Sequence, residues 1–353
     1  MGISNSSLNY NLDKYKYLSG PVSLYYLKKN DQKIFLFGDE HFSLDFSCGD
    51  KYKNIDFIKF LNSIFITSDK KIDFLVEASY NYIEMKESKK KKIKLPQHSY
   101  LTKVIDYYVK KGCFLSNKTN CSKEYPNVRF HSVDFRFSNL CNPVRKISEI
   151  EMYLIVLSIY LDMSVKESFI LKKLEKVMDK IKYINTYEKL EKQINKSLEC
   201  TKIKKQLNSC EPSIKAIILK YKKDAMKENS NRYKNDYDYN MRELHKFYLQ
   251  KKKSFSYSII SIYVKTLFSI IVSVNCIVMD FYCLARLFRN YKDNNDHTMM
   301  KNVIIYAGAM HIENYLLFLT KYMGFKLELG TQATEKRCLN ISKLPYLLFK
   351  NDK

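Results

Sequence analysis

Tryptophan is absent from this 353-residue chain, and glycine and proline are scarce at eight and six residues. Those shortages exclude collagen-like, proline-rich and glycine-rich flexible polymers. Arginine is short too: it supplies eight of the 61 basic residues, and lysine the other 53. Nucleic-acid readers lean on Arg for bidentate contacts, so nucleic acid is an unfavoured partner despite a net charge of +24. Asn, Ile, Tyr and Phe are abundant alongside Lys, and all have AT-rich codons. A biased genome would account for much of the lysine excess. No Cys-x-x-Cys occurs among the nine cysteines. Their odd number in a long chain predicts free thiols in a reducing compartment, not a disulfide framework. No apolar signal segment follows Met1. Leu267 to Met279 is strongly apolar, but it is shorter than the roughly 18 residues of a membrane span and is broken by Asn275. A buried helix is expected there.

What is present is enough for a core. A hydrophobic fraction of 46% with 28% charged residues fits one large domain or two ordinary ones. The first residues, Met-Gly-Ile-Ser-Asn-Ser, fit the N-myristoylation pattern, with Gly2 as acceptor and Ser6 at its last position. One acyl chain binds membranes only marginally without a basic second signal. Lys14, Lys16, Lys28, Lys29 and the run Lys89–Lys92 would supply one. The expected partner is an anionic membrane surface, and the expected location is cytoplasmic with membrane association.

Apolar runs are short and clean. Lys33–Phe37, Ile72–Glu77, Val128–Asp134 and Val303–Ala307 each fit a strand buried on both faces. Helix-length segments, Ile55–Phe65 and Leu101–Lys111, separate the first three in a βαβα rhythm. The predicted fold is α/β: a mainly parallel sheet flanked by helices, with a large helical insertion before the last motif strand. The expected divisions are 1–30, an N-terminal segment; 31–142, the first part of the α/β domain; 143–270, the insertion; and 271–353, the second part. Asn142-Pro143 and Glu211-Pro212 mark helix starts. Ile170, Leu174, Val177, Ile181 and Ile184 form one apolar stripe.

Chemistry-bearing residues sit where those runs end. The first closes in Gly38-Asp39-Glu40-His41 and the second in Glu77. The third closes in Asp134 with Arg136 after it, and the fourth in Gly308-Ala309-Met310-His311. Open α/β sheets bind ligands beyond the carboxyl ends of their strands, so these groups are expected to share one site. Two imidazoles and a carboxylate, His41, His311 and Glu77, make a donor set for Zn, Mn or Co, which would lower the pKa of a bound water. Asp39 or Glu40 would be the general base and Arg136 the oxyanion stabiliser. Without metal, a Glu77–His pair would activate water itself.

The set G-D-E-H, L-V-E, D-F-R and G-A-M-H resembles the superfamily joining TraB/PrgY-type and Tiki proteins to the erythromycin esterase and ChaN proteins. The resemblance covers about residues 33–80, 128–137 and 275–330. Met279–Arg286 followed by G-A-M-H is also similar to proteins of large DNA viruses, for which a place in the virion would follow. The superfamily resemblance implies a hydrolase acting on an ester or peptide bond, metal-dependent in the Tiki type. It matches His41 and His311 to the two motif histidines and Glu77 to the strand-end Glu. Asp39 stands where ChaN-like members have Glu, and the match of Arg136 is looser. The alternative is a catalytically inactive, membrane-peripheral structural or interaction protein on the same fold.

Overall fold

The computed structural model describes residues 12–40, 48, 53–79, 99–114, 119–136, 141–163, 165–250, 256–293, 296–333 and 337–345. The chain divides into two units. The first comprises residues up to Asp134 together with Asn290 onward, and the second is Phe135–Arg289.

The first unit is α/β. In chain order its elements are β1 (Tyr17–Ser19), β2 (Ser23–Lys29), β3 (Gln32–Asp39), β4 (Asn54–Asp56), α1 (Phe57–Thr67), β5 (Ile72–Ser79), α2 (Tyr100–Lys110), α3 (Thr119–Glu124) and β6 (Val128–Asp134). After the second unit come β7 (Tyr291–Asp293) and β8 (Asp296–Thr298), a small hairpin, then β9 (Asn302–Gly308). The four apolar runs are thus β3, β5, β6 and β9. They form one parallel block in the order β3-β9-β5-β6. The sheet is extended on the β3 side by antiparallel β2 and by a strand at Lys326–Gln332, β10. A three-stranded sheet pairs β1 with β4 and with β11 (Cys338–Asn340). Strand β10 carries no continuous apolar run: it reads Lys-Leu-Glu-Leu-Gly-Thr-Gln and is mostly exposed, so the apolar pattern does not reveal it.

One face of the main sheet meets α1 and α2. Strand alternation puts Phe35, Phe37, Phe74, Val76, Phe130, Ile304 and Tyr306 on that face, in one core with Phe57, Phe60, Phe65, Val104 and Tyr108. Aromatic rings pack together at its centre. Phe65 lies 5.4 Å from Phe74 and 5.7 Å from Phe130, the latter edge-on, as aromatic quadrupoles prefer. The helices start where their caps dictate. Asp56 accepts from the N–H groups of Ile58 and Lys59, and Ser99 with Thr102 forms a capping box at α2.

The second unit is all helix: α4 (Asn142–Asp162), α5 (Glu167–Ile181), α6 (Tyr187–Leu198), α7 (Thr201–Asn208), α8 (Pro212–Leu249) and α9 (Tyr257–Leu287). Pro143 and Pro212 lie in the first turns of α4 and α8. The stripe from Ile170 to Ile184 is buried throughout. This unit ends at Arg289, past the boundary expected at 270, because α9 continues unbroken through Leu287. α9 is long and apolar enough to cross a membrane, with a mean hydropathy of 2.0, yet 78% of that apolar window is buried in the protein. Asn275, which interrupts the run, is itself buried. Its amide donates to Ser148 Oγ at 3.1 Å and to Glu151 Oε1 at 2.7 Å.

The expectation of free thiols is corrected. Cys48–Cys338, Cys113–Cys121 and Cys141–Cys200 are disulfides, and Cys210, Cys276 and Cys283 are free and buried. A pair separated by 290 positions leaves no trace in cysteine spacing. The reducing compartment inferred from the thiols loses that support.

Candidate functional site

Glu77 and His311 come together. Glu77 lies near the end of β5, where the strand carries one extra residue: Val76 pairs Ser132, but Ser79 already pairs Asp134. Such a bulge re-aims side chains at strand ends. The Glu77 carboxylate is fixed from one side by the backbone N–H of Gly308, 2.7 Å from Oε2. Its other oxygen lies 3.6 Å from His311 Nε2. Gly308 ends β9 and caps α10 (Ala309–Leu317), so His311 sits in the first turn of that helix. Glu77 and His311 are 8% and 4% exposed, which confines the pair to a nearly dry setting where electrostatic interactions are strong.

Gly38 lets α10 come this close. A Cβ there would lie 3.3 Å from the Ala309 Cα and against the Ser23 hydroxyl. The Gly-x-x-His form therefore works through close approach: Gly38 of the first motif makes room for the helix carrying the second motif's His311.

Asp39 has a different environment. It shares the strand face of Phe37, the face of α1 and α2. Its Oδ1 accepts from Arg337 Nη1 at 2.6 Å and from the Tyr306 hydroxyl at 3.1 Å, and its Oδ2 takes the Leu101 N–H at 3.4 Å. Burial, with the Asp39 charge next, pushes the Tyr306 hydroxyl well above its ordinary pKa and keeps it a donor. Arg337 is buried and also donates to the carbonyls of Gly20 at 3.1 Å and of Glu40. It adopts a left-handed φ of 53°, a conformation that costs a non-glycine residue about 1 kcal/mol or more. Asp39 is thus engaged from three directions and is not placed as a general base. The Glu40 side chain is exposed.

Asp134 is buried at the end of β6, opposite Ser79. Arg136 is buried too, but it belongs to the helical unit. His41, Gly2 and Lys89–Lys92 lie outside the described residues. Among the described residues no group of three His, Cys, Asp or Glu side chains is placed to hold a metal. Glu77 and His311 offer two donors. Their 3.6 Å separation matches that of two ligands about 2.1 Å from a shared tetrahedral ion.

Motif reading did not reach Arg337, Tyr306 or a further cluster in this unit. In that cluster Asp73 Oδ1 is 2.7 Å from both His131 Nε2 and Arg129 Nε, and Arg129 Nη2 adds a bond of 2.8 Å to Oδ2. Desolvation alone would raise the Asp73 pKa, but hydrogen bonds from His131 and Arg129 outweigh it and hold the carboxyl below its usual range. Arginine scarcity was the available signal. Of the eight Arg in 353 residues, two in this unit are in carboxylate pairs.

No protein-family model, curated protein or solved structure matches this chain.

Proposed function

We propose that the α/β unit is a hydrolase that activates water at Glu77 and His311, with His41 completing the site, and that it acts on an ester or peptide bond. The observation that carries this reading is the Glu77–His311 pair, buried at 3.6 Å beyond the carboxyl ends of a parallel block of strands. The Gly308 N–H orients the carboxylate through Oε2, and Oε1 would accept a proton from water as that water attacks the acyl carbon. His311, in hydrogen-bonding reach after a small closure, would pass a proton to the leaving group. A divalent ion, Mn, Co or Zn, held by Glu77, His311 and His41, would supply a more acidic water when bound. The superfamily resemblance supports the same reaction class.

The Asp39 environment favours a second reading, a scaffold that kept the fold without the chemistry, because the motif acid is neutralised by Arg337. A panel of ester and peptide substrates, with and without added Mn, Co or Zn, separates the two. The wild type should turn over at least one substrate. Glu77→Gln and His311→Ala should lose about 10²–10⁴-fold, with their unfolding midpoints little changed. No turnover in the wild type, or equal turnover in all three proteins, favours the scaffold.

A further inference from the structure

The helical unit leaves apolar side chains in water along α4. Met152, Ile155, Ile159 and Met163 are 51%, 36%, 50% and 67% exposed. Their spacings of three, four and four residues place them on one helix face. At the start of α9, Ile259 and Ile262 are 48% and 61% exposed. The two helices run antiparallel: Asn275 meets Ser148 and Glu151, while Asp162 accepts from Ser261 at 3.4 Å and from Lys265 at 2.7 Å. Ile159, Met163, Ile259 and Ile262 therefore gather at one end of the pair. Scattered exposed apolar residues are ordinary, but a gathered set marks an interaction surface.

Charge selects the partner. Lys166 and Lys265 are exposed at this end, and Lys173 lies 5.1 Å from the Phe169 ring. The acids here are Asp162, already paired with Lys265, and Glu167. A second copy of a chain with net charge +24 would be repelled. An anionic bilayer would be attracted, each lysine near its surface adding to the binding. We propose that the end of α4 with the first turns of α9 is a docking surface for an anionic lipid bilayer. Ile159, Met163, Ile259 and Ile262 enter the acyl boundary, and the neighbouring lysines meet the headgroups. This mode is interfacial; the remainder of α9 stays in the protein core.

The test uses the full chain carrying Gly2→Ala, so that no acyl chain contributes. Sedimentation with phosphatidylcholine vesicles, with and without phosphatidylserine, measures binding. Binding is expected only to the serine-containing vesicles and should weaken as salt rises. The double variant Met163→Ser, Ile262→Ser should bind about tenfold more weakly. Both side chains are exposed, so its thermal unfolding should match that of the parent. Three results would each overturn the proposal: no vesicle binding by the parent protein, binding unchanged in the double variant, or a concentration-dependent dimer in light scattering that the double variant abolishes. The last would assign the surface to a second copy.

Discussion

Asp39 and Glu77 leave the same edge of the sheet with only β9 between their strands, and their surroundings differ in kind. Asp39 is 1% exposed and is met by a guanidinium, a phenol and a backbone N–H. Glu77 is 8% exposed, with one oxygen fixed by a backbone N–H and the other facing an imidazole. Buried charge is tolerated when it is paired and hydrogen-bonded. The partners of Asp39 are all fixed donors, a guanidinium, a phenol and a backbone N–H, so the Asp39 environment is static. An imidazole can gain or lose a proton near neutrality, so Glu77 has a partner suited to proton transfer. The same residue class at equivalent strand ends thus serves structure in one place and is available for chemistry in the other.

The largest way to break this contrast is to cut the Cys48–Cys338 disulfide, whose second cysteine follows Arg337 in sequence. It closes a loop of 290 positions, for which chain entropy gives about 5 kcal/mol. Cys113–Cys121 closes only eight positions and should contribute about half as much by the same scaling. Urea unfolding of Cys48→Ser, Cys338→Ser against Cys113→Ser, Cys121→Ser should rank them in that order. Equal midpoints would show that loop length does not set what these bonds contribute.

Next comes Arg337→Met. It leaves the Asp39 charge buried without a cation, an effect of about 3–5 kcal/mol. Adding Asp39→Asn should recover much of that loss, because a neutral amide no longer demands a counter-charge. Glu77→Gln, by contrast, can keep the bond from Gly308 and should cost about 1 kcal/mol or less in stability. The double-mutant cycle between positions 39 and 337 should therefore show strong coupling. Additive costs at 39 and 337 would mean that the buried pair is not what holds this edge of the sheet.

The sequence made most of the parallel block legible because strands buried on both faces carry nearly continuous apolar runs, as β3, β5 and β9 do; β6 was the weakest signal, since Arg129, His131 and Ser132 interrupt it. Strands β1, β4 and β11 were not legible: each spans three residues, too few for any period to register. At the site, Glu77 and His311 were readable because strand ends point to ligands. The division of labour between Asp39 and Glu77 was not readable, since it depends on Arg337, which lies 298 positions from Asp39 in the chain. The Cys48–Cys338 disulfide was hidden for the same reason. Pattern reports what neighbours in sequence share, whereas these partners meet only once the sheet has formed.

The smallest effect concerns Asp73, on the same strand as Glu77 and four positions before it. Its folded pKa lies below the usual carboxylate range because His131 and Arg129 donate to it, despite the opposing cost of burial. A group depressed in the folded state binds its proton more readily when unfolded. Its stabilising contribution is therefore complete above the unfolded pKa of about 3.9 and is lost as pH falls through the folded value. Asp73→Asn removes the titration and leaves Arg129 and His131 facing a neutral amide. Below about pH 5 the stability difference between wild type and Asp73→Asn should shrink as the medium becomes more acidic. Urea midpoints measured across that range give the difference directly, and the titration of every other carboxylate cancels in the comparison. If the difference instead stays flat into strong acid, the Asp73 charge contributes nothing, and pairing with arginine would not by itself account for the contrast between Asp39 and Glu77.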